Sequence, residues 1–242
     1  MTRAVLSAVL SVGLVGVGGQ VADAAPVIFF GNDVGVGEGT RLASHPNADA
    51  ARAAFFANLV GVGTETFEGL SIGATSPTVS FGSVSATLSG GSVDEQLGGT
   101  NGVGRYPISG TKYWESDSAM TLDFSSPVAA FGFYGVDIGD FNGRVTLTTV
   151  SGTPSVLTVE SPLNGPGGGV LYFGFYVTEP DELFTGISFG NTASGSDFFA
   201  FDDFSIGTRE QVVPGVPEPT SLVLLGSALA GLAVRRRMRT RA

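Results

Sequence analysis

The chain has 242 residues, no cysteine and a single histidine, and carries a formal net charge of −10 at pH 7. Disulfide staples and a multi-histidine zinc centre are excluded, and the acidic balance excludes nucleic acid and anionic surfaces as partners. A fold of this composition rests on its apolar core, helped at most by a hard cation.

The N-terminus has a three-part pattern. Arg3 supplies a small positive region, Ala4 to Val17 is almost wholly apolar, and Ala22-Asp23-Ala24 places small residues where a signal peptidase reads. Residues 1–24 are therefore expected to be a signal peptide cleaved after Ala24. Fourteen apolar residues followed by Gly18-Gly19-Gln20 suit a core element poorly.

From Pro46 to Leu59 the sequence is alanine-rich with Asp49 near its start, which predicts a helix. Ala48, Ala51, Phe55 and Leu59 share one stripe, and Gly61 ends the segment. Everything after it predicts short strands cut by Gly, Ser, Pro and Asn. Ser83 to Ser89 alternates, as do Met120 to Phe124 and Val145 to Thr149, while Val170 to Val177 is a continuous apolar run. Ile187, Phe189 and Phe198 to Ile206 complete the set. The expected fold is all-β, a β-sandwich or jelly-roll-like domain over residues 25–210 with one early α-helix. Phe131-Gly132-Phe133-Tyr134 recurs as Phe173-Gly174-Phe175-Tyr176, which predicts two central strands with similar packing needs rather than a duplication.

Catalytic chemistry finds little support. His45 stands directly before Pro46, and no serine lies in a nucleophile-elbow pattern. Gly165, Gly167, Gly168 and Gly169 lack the Lys-Ser/Thr that a phosphate loop requires. The rival reading is a secreted glycan-active hydrolase using paired carboxylates such as Glu68 and Asp203. Calcium is the better chemical expectation, since it takes six to eight oxygens from carboxylates, carbonyls and water. Its candidate ligands are Glu68, Asp137, Asp140, Asp202 and Asp203, with first and last strands of such folds often adjacent; the alternative is that these carboxylates form a solvated acidic rim. Strict alternation puts Asp202 on the side of Phe204 and Ile206, where a carboxylate needs a partner, although a bulge would turn it away. Tyr113 and Trp114 lie in a polar stretch beside Lys112 and Glu115 and are the candidate glycan contacts, with capping one end of the core as the alternative for Trp114.

Residues 211–219 read as a linker ending in Pro217-Glu218-Pro219. Ser221 to Val234 carries no charge, and Arg235, Arg236, Arg237, Arg239 and Arg241 follow. As a helix, fourteen residues span about 21 Å, short against a hydrocarbon core of roughly 30 Å. The arginine flank nonetheless leads to the expectation of a short transmembrane helix over residues 220–242, held transiently in the inner membrane with its arginines cytoplasmic.

The run from Val216 to Ala242 resembles the sorting signal of PEP-CTERM proteins: a Pro-Glu-Pro motif, a short Gly/Ala/Leu-rich segment and an arginine-rich tail. The resemblance implies an exosortase-type membrane peptidase as partner, release to the cell surface or extracellular matrix, and an exopolysaccharide setting. The body resembles the β-sandwich common among such proteins, through Thr66-Phe67-Glu68-Gly69-Leu70, the stretch from Ala130 to Asp140, and Asp197 to Ile206. That family carries no settled catalytic site. Together these features imply a structural or extracellular-polysaccharide-associated protein that is not an enzyme.

Overall fold

The computed structural model describes residues 25–117, 120–139, 145–149, 155–162, 165–191 and 197–213. Two antiparallel sheets face each other. The first contains β1 (Val27–Asp33), β2 (Gly63–Glu65), β5 (Ser92–Glu95), β6 (Lys112–Ser116), β8 (Ala130–Val136), β11 (Val170–Tyr176) and β13 (Phe199–Gly207). Its order is β1-β11-β8-β13-β6-β5, with β2 also pairing β13. The second contains β3 (Thr78–Ser80), β4 (Ser85–Ser89), β7 (Thr121–Val128), β9 (Val145–Thr149), β10 (Ser155–Thr158) and β12 (Phe184–Asn191). Its order is β10-β9-β12-β7-β4-β3. One α-helix, α1 (Pro46–Phe56), lies on the outer face of the first sheet.

The expected sandwich with one early helix is what the chain forms. Between the sheets the core is aromatic: Phe131, Phe133, Phe189, Phe201 and Phe204 meet at ring centroid distances of 5.3–6.4 Å. Edge-to-face contacts of this kind add about 0.5–1.5 kcal/mol each beyond area burial. All seven residues of β8 and of β11 are buried, because α1 covers the face that the second sheet does not. A strand buried on both faces reads as a continuous apolar run.

The repeated Phe-Gly-Phe-Tyr has a packing cause. β8 and β11 are antiparallel neighbours in a register that sets Gly132 opposite Gly174 and Tyr134 opposite Tyr172. Phe55 of α1 lies over the paired glycines, and a Cβ on either would come within 3.0 Å of its ring. The echo is therefore a two-strand groove that receives one helical phenylalanine. Helix α1 buries Ala48, Ala51 and Phe55, three of the four residues of the expected stripe; it ends at Phe56, so the fourth, Leu59, lies just past it. Its start is tied to β1 by Asp33, whose carboxylate accepts from the backbone N–H groups of Asn47 at 3.3 Å and Ala48 at 2.9 Å. Such bonds satisfy donors that the first helical turn leaves without partners.

The described chain enters and leaves at one end of the sandwich. Val27 pairs with Tyr176 there, and Val213 donates to the carbonyl of Asn58 just past α1. Gly35, Gly104, Asp137 and Phe199 mark the opposite end.

One expectation is corrected. Among the described residues no helix is long and apolar enough to cross a membrane. The transmembrane helix expected over 220–242 lies outside the described residues, and at about 21 Å its apolar run is shorter than the roughly 30 Å it would have to span. The transient inner-membrane stage built on that helix is withdrawn with it.

Candidate functional site

The carboxylates singled out in the sequence do not gather at one point. Three of them hold a single loop. Asp202, fully buried on β13, accepts at Oδ2 from the backbone N–H groups of Ile108 at 2.7 Å and Ser109 at 2.8 Å. Its Oδ1 accepts from the N–H of Asp203 at 2.7 Å. Asp203 Oδ1 accepts from the hydroxyl of Ser109 at 2.6 Å. Glu68 Oε1 accepts from the N–H groups of Thr111 at 2.8 Å and Lys112 at 2.7 Å. Lys112 returns the contact, its ammonium donating to the carbonyls of Glu68 and Leu70. The loop entering β6 thus has its backbone donors satisfied by side chains from the first and last parts of the body.

A bulge makes this possible. The pairing of β13 with β8 shifts register between Asp202 and Ser205, and Asp203 sits at φ 52°, in the left-handed region. Phe201 and Phe204 therefore both face the inter-sheet core, with ring centroids 6.4 Å apart, while Asp202 faces the opposite side opposite Tyr134. The strict alternation that would have placed Asp202 with Phe204 is broken there. Asp202 remains buried because residues 108–109 lie over it. Burial, and then the Asp203 carboxylate, push the Asp202 pKa well above the usual carboxylate range. Burial also pushes on Glu68, but the two N–H donors prevail and its pKa is lowered.

Asp137 stands apart at the end of β8, buried and at φ 69°. Its Oδ1 accepts from the N–H of Gly168 at 2.6 Å, and its carboxylate lies where a Cβ on Gly104 would fall. Asp140 lies outside the described residues. Among the described residues no three His, Cys, Asp or Glu side chains are placed to hold a metal ion.

Trp114 and Tyr113 have no exposed ring face: both are 0% exposed. Trp114 packs beside Phe67, and the Tyr113 hydroxyl donates to Asp94 at 2.9 Å. The two successive side chains of β6, which point to opposite faces, are thus both covered. Among the described residues, Phe198 is an exposed ring near this end, with the Arg105 guanidinium 5.5 Å from its centroid. Composition alone does not distinguish it from the buried phenylalanines.

A second polar group escaped sequence reasoning. The Tyr134 hydroxyl donates to Asp49 Oδ1 at 2.6 Å, and His45 Nδ1 lies 2.8 Å from the same oxygen. Asp49 thus joins the start of α1 to β8, with the sole histidine beside the same carboxylate. The i,i+4 spacing of His45 and Asp49 was visible; Tyr134, 85 residues on, was not.

Residues 215–237 match the PEP-CTERM protein-sorting motif. Ala24 and the Pro217-Glu218-Pro219 run lie outside the described residues, as do Arg235 to Arg241. No curated protein matches the chain in sequence. Solved structures with some likeness include the K2 cleaved adhesin domain of Lys-gingipain, at 14% identity and TM-score 0.40, covering 61% of this chain and 98% of that one. The C-terminal family 22 carbohydrate-binding module of Clostridium thermocellum Xyn10B follows at 16% identity and TM-score 0.37, covering 63% and 98%. The family 11 carbohydrate-binding module of Clostridium thermocellum Lic26A-Cel5E has 12% identity and TM-score 0.31, covering 62% and 96%. Such scores say nothing about ligand or chemistry. The chain carries a PEP-CTERM protein-sorting motif behind an all-β sandwich body, consistent with a PEP-CTERM surface protein.

Proposed function

We propose that this is an exported cell-envelope or extracellular-matrix protein, sorted through its PEP-CTERM motif, whose sandwich is a non-catalytic, polysaccharide-associated module. The observation that carries the reading is the sorting motif at residues 215–237. Signal peptidase would remove residues 1–24, and an exosortase-type peptidase would act near Glu218. Proline disfavours helix at its own position and at the residue before it, so a Pro-Glu-Pro sequence suits a peptidase that reads an extended substrate.

The body supports a module more than a hydrolase. A paired-carboxylate mechanism needs one group free to give a proton and another free to attack or activate water. Asp202, Asp203 and Glu68 instead accept hydrogen bonds from the loop that they hold. Toward the end of the sandwich opposite Val213, Phe198 offers an exposed ring that could meet a sugar face. A glycan array and a hydrolysis screen on the same exported protein test the reading. Binding without turnover is expected. Turnover abolished by Glu68→Gln or Asp203→Asn would overturn it.

A further inference from the structure

We infer that the free edge of β1 is a self-association surface, taking as its occupant β1 of a second copy of this chain. A sheet edge presents unpaired N–H and C=O groups, and proteins normally blunt it with charge, proline or short length. This molecule does so elsewhere. β5, closing the other side of the first sheet, is four residues long and carries Asp94 and Glu95. In the second sheet, β3 has three residues and β10 four. β1 has seven, with neither charge nor proline from Val27 to Asn32. Its apolar side chains are exposed: Val27 at 40%, Ile28 at 48% and Phe30 at 41%. Among the described residues, Val27 to Phe30 make no backbone hydrogen bond outside the β1–β11 ladder.

Charge selects the occupant's approach. Between the two targeting segments the chain keeps a net charge of about −15, so two copies repel over most of their surface. The uncharged edge of β1 is where they meet at least electrostatic cost. A two-fold axis across such an edge makes the strands antiparallel automatically, each copy offering the same patch. The register is limited at one end, since Asn47 Nδ2 donates to the carbonyl of Asn32 at 3.3 Å and Asp33 is engaged with α1. Pairing therefore runs from Val27 to Gly31 and centres on Phe29. Ile28 then faces Phe30 of the second copy twice, on the side that looks toward the second sheet. Phe29 faces its own counterpart on the side of α1, where it already touches Phe55 and Tyr176. Both copies of Asp33 fall outside the paired stretch, so no like charges oppose. Five residues a side place the contact at the low end of specific interfaces, below about 1,200 Å². The association is therefore weak and concentration-dependent.

Sedimentation velocity of the exported, processed protein across a concentration series tests this. The weight-average mass should rise toward twice the monomer value, and more readily at high salt, which screens the repulsion. The double variant Ile28→Lys/Phe30→Lys should stay monomeric, with unchanged circular dichroism and melting because both side chains are exposed. Should that variant lose its fold, Ile28→Thr/Phe30→Thr supplies the same comparison. Val156→Lys, on the edge strand of the second sheet, should associate like the parent. Phe29→Cys, in a chain without any other cysteine, should oxidise to a covalent dimer. A parent protein that is monomeric throughout, β1 variants that associate as the parent does, or a Phe29→Cys protein that stays monomeric on oxidation would overturn the inference.

Discussion

Replacing Asp202 by alanine removes the acceptor that holds the loop ahead of β6. Three backbone N–H groups lose their partner at once: those of Ile108, Ser109 and Asp203. A buried donor left unsatisfied costs about 1–3 kcal/mol. Part of that is recovered, because the substitution also removes a buried carboxylate beside Asp203, and because water can reach residues 108–109 once the loop loosens. The net loss should be roughly 3–5 kcal/mol. In a domain of this size each kcal/mol moves the melting temperature by about 2–4 °C, so a drop of roughly 6–20 °C is expected in thermal unfolding followed by circular dichroism. Asp202→Asn keeps one oxygen for Ile108 and Ser109 and should fall between the two. The pH dependence has a definite sign. The folded state binds the Asp202 proton more tightly than the unfolded chain, so the contribution of this group is fully present below its ordinary value of 3.8 and is lost as pH rises through its folded pKa. The advantage of the parent over Asp202→Asn should therefore shrink as pH rises from about 4. A melting temperature for Asp202→Ala within about 2 °C of the parent would refute the loop-holding role, and an advantage that grows with pH would refute the raised pKa.

Phe55→Ala should cost about 3–5 kcal/mol in thermal or denaturant unfolding, because it empties the groove between Gly132 and Gly174. Gly104→Ala and Gly99→Ala form a matched pair: both sit at positive φ, but only at Gly104 does a Cβ meet the Asp137 carboxylate, while Gly99 has open space. Gly99→Ala should cost about 1 kcal/mol and Gly104→Ala clearly more, by the same melting assay. Phe198→Ala should weaken retention on the glycans that the parent binds without changing its melting temperature. Trp114→Ala should do the reverse, lowering stability by about 3–5 kcal/mol.

The sheets were legible because period-two alternation and continuous apolar runs follow directly from which faces are buried. β4, β7, β12 and β13 announced themselves in that way, and so did the buried stripe of α1. The Phe-Gly-Phe-Tyr echo was visible, but its cause needed the third partner, Phe55, which lies 76 residues before the first echo's Phe131 in one direction of folding and has no local mark. Tyr113 and Trp114 looked like loop aromatics because their neighbours are polar; the second layer that buries them comes from elsewhere in the chain. The bulge at Asp202–Ser205 could be named only as an option, since nothing in Asp-Asp-Phe-Ser requires the left-handed turn at Asp203. The partners of Glu68 and Asp202 are backbone N–H groups, which every residue but proline carries, so no side-chain pattern reveals them.

Export and sorting carry the proposed function, and intact-mass analysis of the protein recovered from its native host tests them most directly. The predicted product begins at Ala25 and ends near Glu218, without the apolar run and the arginines from Arg235 to Arg241. A product that begins at Met1, or one that still carries the arginine tail, would contradict it.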